Sequence, residues 1–304
     1  MEQFEINVIG CGAALPTPRH LNSTQVANIR GKLFMLDCAE GIQVMIRKMK
    51  LNFSDIQAIF LTHMHGDHVF GLLGMLSTLG LLGRKQELHV YGPAPMQSIF
   101  QTQIDYFCAE SPYKIILHEI DHKEAHVVYE DRSVTVSAFP LSHRVPCCGY
   151  LLREKPTLPH IKRDMIDFYG IPVCQINNIK AGADWTLDDG TVIPNSRLTT
   201  PSAPPRSYAY CTDTKYRPGL AQLLQGVSCI YHEATFTAEH KLLAKKTFHS
   251  TAEQAAMIAK EAQAGKLVIG HFSSRYKDEN VLLREAKAVF PDTWLAKEEM
   301  RIVL

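Results

Sequence analysis

The feature that most constrains this chain is a cluster of ligand-type side chains at residues 63–68, which read HMHGDH. Its ligand-type members are His63, His65, Asp67 and His68. An apolar run at 56–61 precedes the cluster and another follows it, which predicts a buried strand, a loop and the start of a helix. Imidazole and carboxylate are ordinary ligands of zinc-class metals. The spacing therefore predicts a metal site in a loop that a strand end holds in place.

The order of residues within the cluster separates two pairs of donors. His63 and His65 are two positions apart, so in an extended segment their side chains point to the same side. Asp67 and His68 lie beyond that pair and are available to a second metal.

Three later segments repeat the pattern of an apolar run that ends at a ligand-type residue. His143 follows the run at 134–139, Asp213 follows 207–211, and His271 follows 266–270. Each run predicts a strand. These three residues are singled out because the family resemblance carried by the HMHGDH motif implies a histidine, an aspartate and a last histidine downstream of it.

The HMHGDH motif resembles the signature of the metallo-β-lactamase superfamily. This resemblance implies an α/β fold, the four-layer αββα sandwich, with one or two metal ions bound at the edge of its sheets. It also implies a division of the ligands: one metal is held by His63, His65 and His143, the other by Asp67, His68 and His271, and Asp213 bridges them. Asp67 is further implied to accept the proton of the attacking water.

Other segments resemble the opening of ribonuclease Z, a tRNA 3′-processing endonuclease family. They are GCGAALP at 10–16, NST at 22–24 and DCAEGIQ at 37–43, and the likeness extends through nearly the whole chain. It implies a homodimeric, zinc-dependent endoribonuclease with two ions per chain, a site that manganese can also occupy. It implies removal of the 3′ trailer from precursor tRNA, leaving a 3′-hydroxyl on the tRNA.

Two charged residues, an aspartate and an arginine, each have two possible roles. Asp37 ends a predicted strand, where it either serves a turn or cap or orients a metal-binding histidine. Arg275 follows His271 and either holds the phosphate or is an ordinary surface arginine.

A second pair of residues matches positions that the family assigns to proton transfer. They are Glu233 and His249, and by resemblance His249 protonates the leaving oxygen while Glu233 orients it. The sequence after His249 predicts a capping box of Ser250 and Glu253 that opens a helix at 252–264. A helix start also favours anions, so a phosphate is the expected neighbour of His249.

The composition changes between residues 154 and 206, where Pro, Gly, Lys, Asp and Asn dominate without sustained periodicity. We interpret the chain as a single domain, 1–304, in which this segment is either a surface insertion or, by resemblance, the arm that grips tRNA. Lys162, Arg163 and Lys180 are its predicted RNA contacts. Val173-Cys174 stands where family arms usually carry a Gly-Pro motif.

Overall composition limits the remaining function classes. The formal net charge is +1, so nucleic acid must bind to a local basic surface. The chain has no apolar run of 18 residues, so no membrane span is predicted. Its eight cysteines are scattered and include no Cys-x-x-Cys pair, which predicts reduced thiols in the cytoplasm. Two rivals remain: a hydrolase of a small phosphodiester or other ester on the same fold, and a non-catalytic RNA-binding protein with a decayed site.

Periodicity along the rest of the chain predicts further elements. The strands are expected at 4–9, 32–36, 88–91, 115–120, 125–129 and 300–304, and the helices at 42–49, 70–80 and 95–109.

Overall fold

A computed structural model describes residues 3–304 of the chain. Its contacts divide the chain into two compact units. One unit runs up to Arg153 and resumes at Arg206–Leu304, and the other is the insertion Glu154–Pro205.

The strands of the described residues are, in chain order, β1 (Phe4–Gly10), β2 (Thr24–Ile29), β3 (Lys32–Leu36), β4 (Ile56–Phe60), β5 (Leu88–Pro93), β6 (Ile115–Ile120), β7 (His126–Glu130), β8 (Val134–Pro140), β9 (Cys148–Glu154), β10 (His160–Ile161), β11 (Trp185–Thr186), β12 (Val192–Ile193), β13 (Thr199–Thr200), β14 (Ser207–Cys211), β15 (Cys229–Glu233), β16 (Leu267–Gly270), β17 (Thr293–Leu295) and β18 (Arg301–Val303). The α-helices are α1 (Ile42–Lys48), α2 (Gly66–Val69), α3 (Leu72–Leu81), α4 (Met96–Phe107), α5 (Arg163–Phe168), α6 (Ile176–Lys180), α7 (Asn195–Leu198), α8 (Leu220–Leu223), α9 (Lys241–Thr247), α10 (Ala252–Glu261) and α11 (Asn280–Val289).

Two seven-stranded sheets form the larger unit. The first has the order β18-β1-β2-β3-β4-β5-β6 and the second β17-β16-β15-β14-β9-β8-β7. Strands β3 to β6 are parallel to one another, as are β14 to β17. Because the carboxyl ends of parallel strands meet at one edge, each sheet collects its following loops there.

The core lies between the two sheets. Phe34 and Phe60 of the first sheet belong to one buried cluster with Tyr150 and Tyr210 of the second. Helix α10 joins this cluster through its alanine-rich face, and α1, α3 and α4 belong to a second cluster with the other side of the first sheet. The layers are therefore helix, sheet, sheet and helix, which confirms the predicted αββα sandwich.

The elements predicted from periodicity are present, with shifts of one or two residues at several ends. The capping box begins at Thr251, one residue later than the sequence predicts. The side chain of Thr251 accepts from the backbone of Gln254, and the side chain of Gln254 accepts from the backbone of Thr251. Ser250 does not cap, because its hydroxyl donates to the carbonyl of Thr214 at 2.6 Å.

The insertion forms a small unit with its own apolar cluster. The members of that cluster are Ile166, Ile171, Ile179, Ile193 and Leu198, all buried. Asn195 supports it by donating to the carbonyls of Ile179 and Ala183. The segment is thus an ordered unit, although its sequence lacks sustained periodicity.

Two expectations from composition can be compared with the described residues. All eight cysteines are free, including the adjacent Cys147 and Cys148. None of the helices within residues 3–304 combines the length and the apolar character that crossing a membrane requires.

Candidate metal centre

Three site residues leave their strands with an unusual backbone conformation. Asp37 follows β3, Asp213 follows β14 and His271 follows β16, and their φ angles are 60°, 40° and 58°. Side chains other than glycine rarely adopt such positive φ values, and those that do cluster at functional sites. All three side chains are buried, so the turn at each strand end directs a polar group into the protein.

The first donor set consists of three histidines from two loops. Nε2 of His63 lies 3.0 Å from Nδ1 of His65, and Nε2 of His143 lies 3.2 Å from the same atom. Ring nitrogens that converge in this way, with a carboxylate oxygen of Asp213 beside them, are arranged as ligands around one cation.

The second donor set consists of Asp67, His68 and His271, whose ligand-type atoms also lie within 4.8 Å of one another. Nε2 of His68 is 3.5 Å from Oδ2 of Asp67. The same Asp67 oxygen accepts a hydrogen bond from the backbone of Ala14 at 3.0 Å, which ties it to the loop after β1.

Asp213 lies between the two sets with one oxygen directed at each. Its Oδ2 is 3.8 Å from Nε2 of His63 and 3.7 Å from Nε2 of His143. Its Oδ1 is 3.3 Å from Nε2 of His68 and 2.9 Å from Nε2 of His271. This is the placement that a carboxylate shared by two cations requires.

Two buried atoms show that this donor arrangement fits metal ions. Nε2 of His68 and Nε2 of His271 are buried and close to Asp213, yet neither has a hydrogen-bond partner. Buried polar atoms normally have a partner. A cation among these nitrogens and carboxylates would satisfy both, so the residues present fit the implied metal.

The outer nitrogens of the histidines are held by hydrogen bonds. Nδ1 of His68 is 2.8 Å from Oδ2 of Asp37, and Nδ1 of His143 is 3.1 Å from the carbonyl oxygen of Phe248. Nδ1 of His271 is 2.9 Å from the hydroxyl of Thr235. Such contacts fix the ring orientation of metal-binding histidines, and they place Asp37 in the orienting role that the sequence left open.

The pKa shifts of His63, His143 and Asp213 suit cation binding, whereas that of His68 favours a protonated imidazole, which must release its proton to bind a metal. Burial lowers the pKa of His63 and His143, which favours the neutral imidazole that binds metals. Burial alone would lower the pKa of His68, but the carboxylates of Asp213 and Asp37 raise it well above its usual value. His271 and His68 lower the pKa of Asp213 against the effect of burial, so that this carboxylate is ionised.

The partly exposed His249 and the buried Glu233 form a pair beside the two donor sets. Nδ1 of His249 lies 2.9 Å from Oε1 of Glu233. The backbone of Thr214, the backbone of Ser250 and the hydroxyl of Thr235 also donate to Glu233, at 2.8, 3.0 and 2.6 Å. Although burial opposes the change, Glu233 raises the pKa of His249 to about 9. At this pKa, His249 is protonated at neutral pH.

A cleft of about 320 Å³ gives access to both donor sets and to His249. Arg144 lines this cleft, whereas Arg275 does not. The guanidinium of Arg275 lies 5.0 Å from the ring centre of Phe236, which does line the cleft. Arg144 directly follows His143, but no sequence pattern marks it as a site residue.

Thr235 is the other functional residue that sequence reasoning missed. Its hydroxyl contacts both Glu233 and His271, so it joins the proton-donor pair to the second donor set. The only sequence signal was its position two residues after Glu233. The predicted RNA contacts Lys162, Arg163 and Lys180 all lie in the insertion unit.

Comparison with known proteins identifies the family. Ribonuclease Z of Bacteroides fragilis (strain YCH46) is 54% identical over 304 residues, which is 100% of both chains. The chain belongs to the ribonuclease Z family. Ribonuclease Z of Bacteroides thetaiotaomicron is 52% identical and covers 100% of this chain and 96% of the relative.

A solved structure agrees with the fold, and a family model matches part of the chain. The crystal structure of the short form of human tRNase Z superposes with a TM-score of 0.71 at 25% identity, covering 98% of each chain. A family model described as anti-Pycsar protein Apyc1 matches residues 4–104, a segment that includes His63, His65, Asp67 and His68. The ribonuclease Z relatives, in contrast, match from end to end.

Proposed function

We propose that this chain is a metal-dependent endoribonuclease that removes the 3′ trailer from precursor tRNA and leaves a 3′-hydroxyl on the tRNA. Membership of the ribonuclease Z family supports the substrate. One structural observation carries the chemistry: Asp213 presents one oxygen to each of two donor sets, next to the protonated His249.

The proposed cofactor is a pair of zinc ions. His63, His65 and His143 would hold one, Asp67, His68 and His271 the other, with Asp213 shared between them. When bound, such ions supply charge neutralisation for the phosphate and a water of lowered pKa. Zinc suits a donor set rich in imidazole, and manganese is the alternative ion for the same residues.

The protein's own residues handle the protons. Asp67 is fixed by the backbone of Ala14 and is proposed to accept the proton of the attacking water. His249 is proposed to donate its Nε2 proton to the leaving 3′ oxygen, while Glu233 holds the ring by a hydrogen bond at Nδ1. The high pKa that Glu233 gives His249 keeps this proton in place at neutral pH.

The insertion is proposed to be the tRNA-binding arm of a single metallo-β-lactamase-fold domain, 1–304. Its ordered core supports this role, because a folded unit can hold a binding surface in a fixed shape. Lys162, Arg163 and Lys180 are the proposed contacts to the phosphate backbone. Arg275, or Arg144 which lines the cleft, is proposed to hold the phosphate at the site of cleavage.

Two further proposals concern assembly and location. We propose a homodimer on the strength of the family resemblance, which sedimentation equilibrium of the purified protein will test. We propose the cytoplasm as the compartment, because the proposed substrate is precursor tRNA and because eight free thiols suit a reducing environment.

A comparison of two substrates distinguishes the proposed function from that of a small-ester hydrolase on the same fold. We expect kcat/KM for precursor tRNA to exceed that for bis(p-nitrophenyl) phosphate by several orders of magnitude, because only the tRNA can use binding energy from the insertion. Comparable values for the two substrates would favour the small-ester enzyme. Binding of tRNA without cleavage, in a sample whose metal content has been measured, would favour the RNA-binding protein.

A further inference from the structure

A second cluster of metal-type donors lies where the loop after β1 meets the segment before β18. Its members are Cys11, His20 and Glu298, of which Cys11 is fully buried. The Cys11 sulfur is 3.4 Å from Nδ1 of His20 and 3.6 Å from Oε1 of Glu298, and Nδ1 of His20 is 3.2 Å from the same Glu298 oxygen. None of these residues belongs to the centre around Asp213.

The distances between these donors match those around a tetrahedral zinc ion. Typical bonds are about 2.3 Å to sulfur, about 2.0–2.1 Å to imidazole nitrogen and about 2.0–2.2 Å to carboxylate oxygen. Tetrahedral angles then separate the donors by about 3.4–3.6 Å. The separations among the Cys11 sulfur, Nδ1 of His20 and Oε1 of Glu298, between 3.2 and 3.6 Å, differ from these values by only a few tenths of an ångström.

The opposite nitrogen of His20 provides independent support. Its Nε2 lies 3.2 Å from Oε1 of Glu279, and Arg19 holds the same oxygen at 2.9 Å. Metal-binding histidines almost always have a carboxylate or carbonyl at the nitrogen that faces away from the metal. His20 therefore has the environment of a ligand, with Nδ1 directed at the thiol and the carboxylate.

A cation in this cluster would stabilise the loop that supports the proposed active site. Within this loop, the backbone of Ala14 donates to Asp67, and the carbonyl of Cys11 accepts from the backbone of Phe272, next to His271. Glu298 already draws the loop to the C-terminal segment by accepting from the backbone of Leu21 at 3.1 Å.

We propose that Cys11, His20 and Glu298 bind one zinc-class cation at a structural site separate from the centre around Asp213. Binding releases the thiol proton of Cys11 and any proton on Nδ1 of His20 to solvent. The thiolate of Cys11, Nδ1 of His20 and a carboxylate oxygen of Glu298 are then its protein ligands, and water takes the remaining tetrahedral position. The cation joins the loop after β1 to the segment before β18. Glu279 orients His20 from the side opposite the cation.

Cobalt(II) substitution of the full chain tests this site directly, because its absorption spectrum distinguishes the two kinds of centre. The ligands proposed around Asp213 are nitrogen and oxygen only, so a near-ultraviolet thiolate-to-cobalt charge-transfer band reports a cysteine ligand. We expect this band in the wild type and in Asp213→Ala, which should lack part of the other centre. We expect Cys11→Ser to lose the band and one bound cobalt ion per chain.

Two further variants control for stray thiols and for misfolding. Cys174 is the one exposed cysteine, so Cys174→Ser should keep the band. Glu279→Gln preserves all three ligands and should weaken cobalt binding at this site by roughly 10–100-fold, the usual effect of losing an orienting carboxylate. Circular dichroism of every variant verifies folding.

Either of two results overturns the proposal. One is the absence of the band from cobalt-loaded wild type, which would make the cluster a purely hydrogen-bonded contact. The other is a band of unchanged intensity in Cys11→Ser. If Cys11→Ser does not fold, unchanged cobalt affinity in Glu279→Gln also decides against the site. None of these outcomes depends on cleavage of RNA.

Discussion

At the scale of single residues, the proposed site depends on groups that each serve two neighbours. Asp213 faces both donor sets, and Thr235 contacts both Glu233 and His271. Losing such a residue should therefore affect more than one part of the site, which distinguishes it from a residue with one partner.

Asp213→Ala should remove at least one metal ion per chain and abolish turnover, because its carboxylate is proposed to serve both ions. Metal analysis by mass spectrometry and cleavage of precursor tRNA measure the two effects. Asp189→Ala, an exposed aspartate of the insertion, is the matched control and should keep its metals. Full metal content with normal turnover in Asp213→Ala would contradict a dinuclear centre.

His249→Ala should slow tRNA cleavage by roughly 10²–10⁴-fold, the usual share of general acid catalysis, with metal content and tRNA affinity nearly intact. A p-nitrophenolate leaving group needs little protonation, so hydrolysis of bis(p-nitrophenyl) phosphate should fall much less. Glu233→Ala should show a milder form of the same pattern.

The control for this comparison is His126→Ala, which should behave as wild type. The ring of His126 hydrogen-bonds the carbonyl of Glu124, and His126 lies outside the proposed site. The general-acid role of His249 would be falsified if His249→Ala slowed both substrates by the same factor. Loss of metal from His249→Ala would instead make it a ligand or a support for one.

The sequence and its family resemblance predict donor residues that the structure brings close together, and the reason is partly topological. The family resemblance implies an aspartate and a last histidine downstream, and Asp213 and His271 fit because each follows an apolar run whose strand ends at one edge of a parallel sheet. Arg144 and Thr235 were missed because their importance arises from tertiary contacts. The positive φ values at Asp213 and His271 also escape sequence analysis, since the surrounding fold imposes them.

At the scale of helices and strands, the start of α10 shows how the site competes with local signals. Ser250 is as good a cap as Thr251, but its backbone and hydroxyl are used by Glu233 and Thr214. The cap therefore moves to Thr251. Strand β2 is not predicted from the sequence, because its polar and apolar residues do not alternate. Nearly all of them are buried, since both faces of the sheet are covered.

Thr251→Ala should lower the free energy of unfolding by about 1 kcal/mol, the typical cost of losing a helix cap. Denaturant unfolding measures this change. Thr251→Ser keeps the hydroxyl that accepts from Gln254 and should retain most of the stability. Equal losses in the two variants would show that packing of the Thr251 methyl group, and not the capping box, stabilises α10.

The turn between β7 and β8 offers a prediction that depends on pH. Lys32 of β3 donates to Asp131 at 2.5 Å, which links the two sheets. Burial opposes ionisation of Asp131, but hydrogen bonds from Lys32, Ser133 and Val134 lower its pKa to about 2. Because this pKa lies below the unfolded value of about 3.9, the stabilisation is present above that value and is lost as pH falls toward 2.

Asp131→Asn should therefore destabilise the protein by about 1 kcal/mol at pH 7, a modest value because solvent screens this partly exposed pair. The difference from wild type should shrink as pH falls from 4 toward 2. Urea unfolding at a series of pH values measures it. A difference that stays constant with pH would mean that the loss comes from the turn and not from the charge.

At the scale of the whole molecule, the chain leaves the larger unit and returns to it at neighbouring positions. Arg153 of β9 pairs with Ser207 of β14 in an antiparallel ladder, so a short turn can reconnect the strands when the insertion is removed. Replacing residues 155–205 with a Gly-Ser turn should leave the proposed metal ligands in place, because none lies in the insertion.

This deletion should weaken binding and processing of precursor tRNA severely, while hydrolysis of bis(p-nitrophenyl) phosphate largely persists. A full-length variant with Lys162, Arg163 and Lys180 changed to alanine should share the tRNA defect and show a shallower dependence of binding on salt. Equal loss on both substrates in the deletion would mean that the insertion supports the fold or the active site.

The most direct test of the central claim is an end map of precursor tRNA cleaved by the purified, metal-analysed protein. We expect a single endonucleolytic cut that yields tRNA with a 3′-hydroxyl and an intact trailer with a 5′-phosphate, and no such cut by Asp213→Ala. Stepwise shortening of the trailer, cuts scattered through the tRNA, or the same cut by Asp213→Ala would contradict the account.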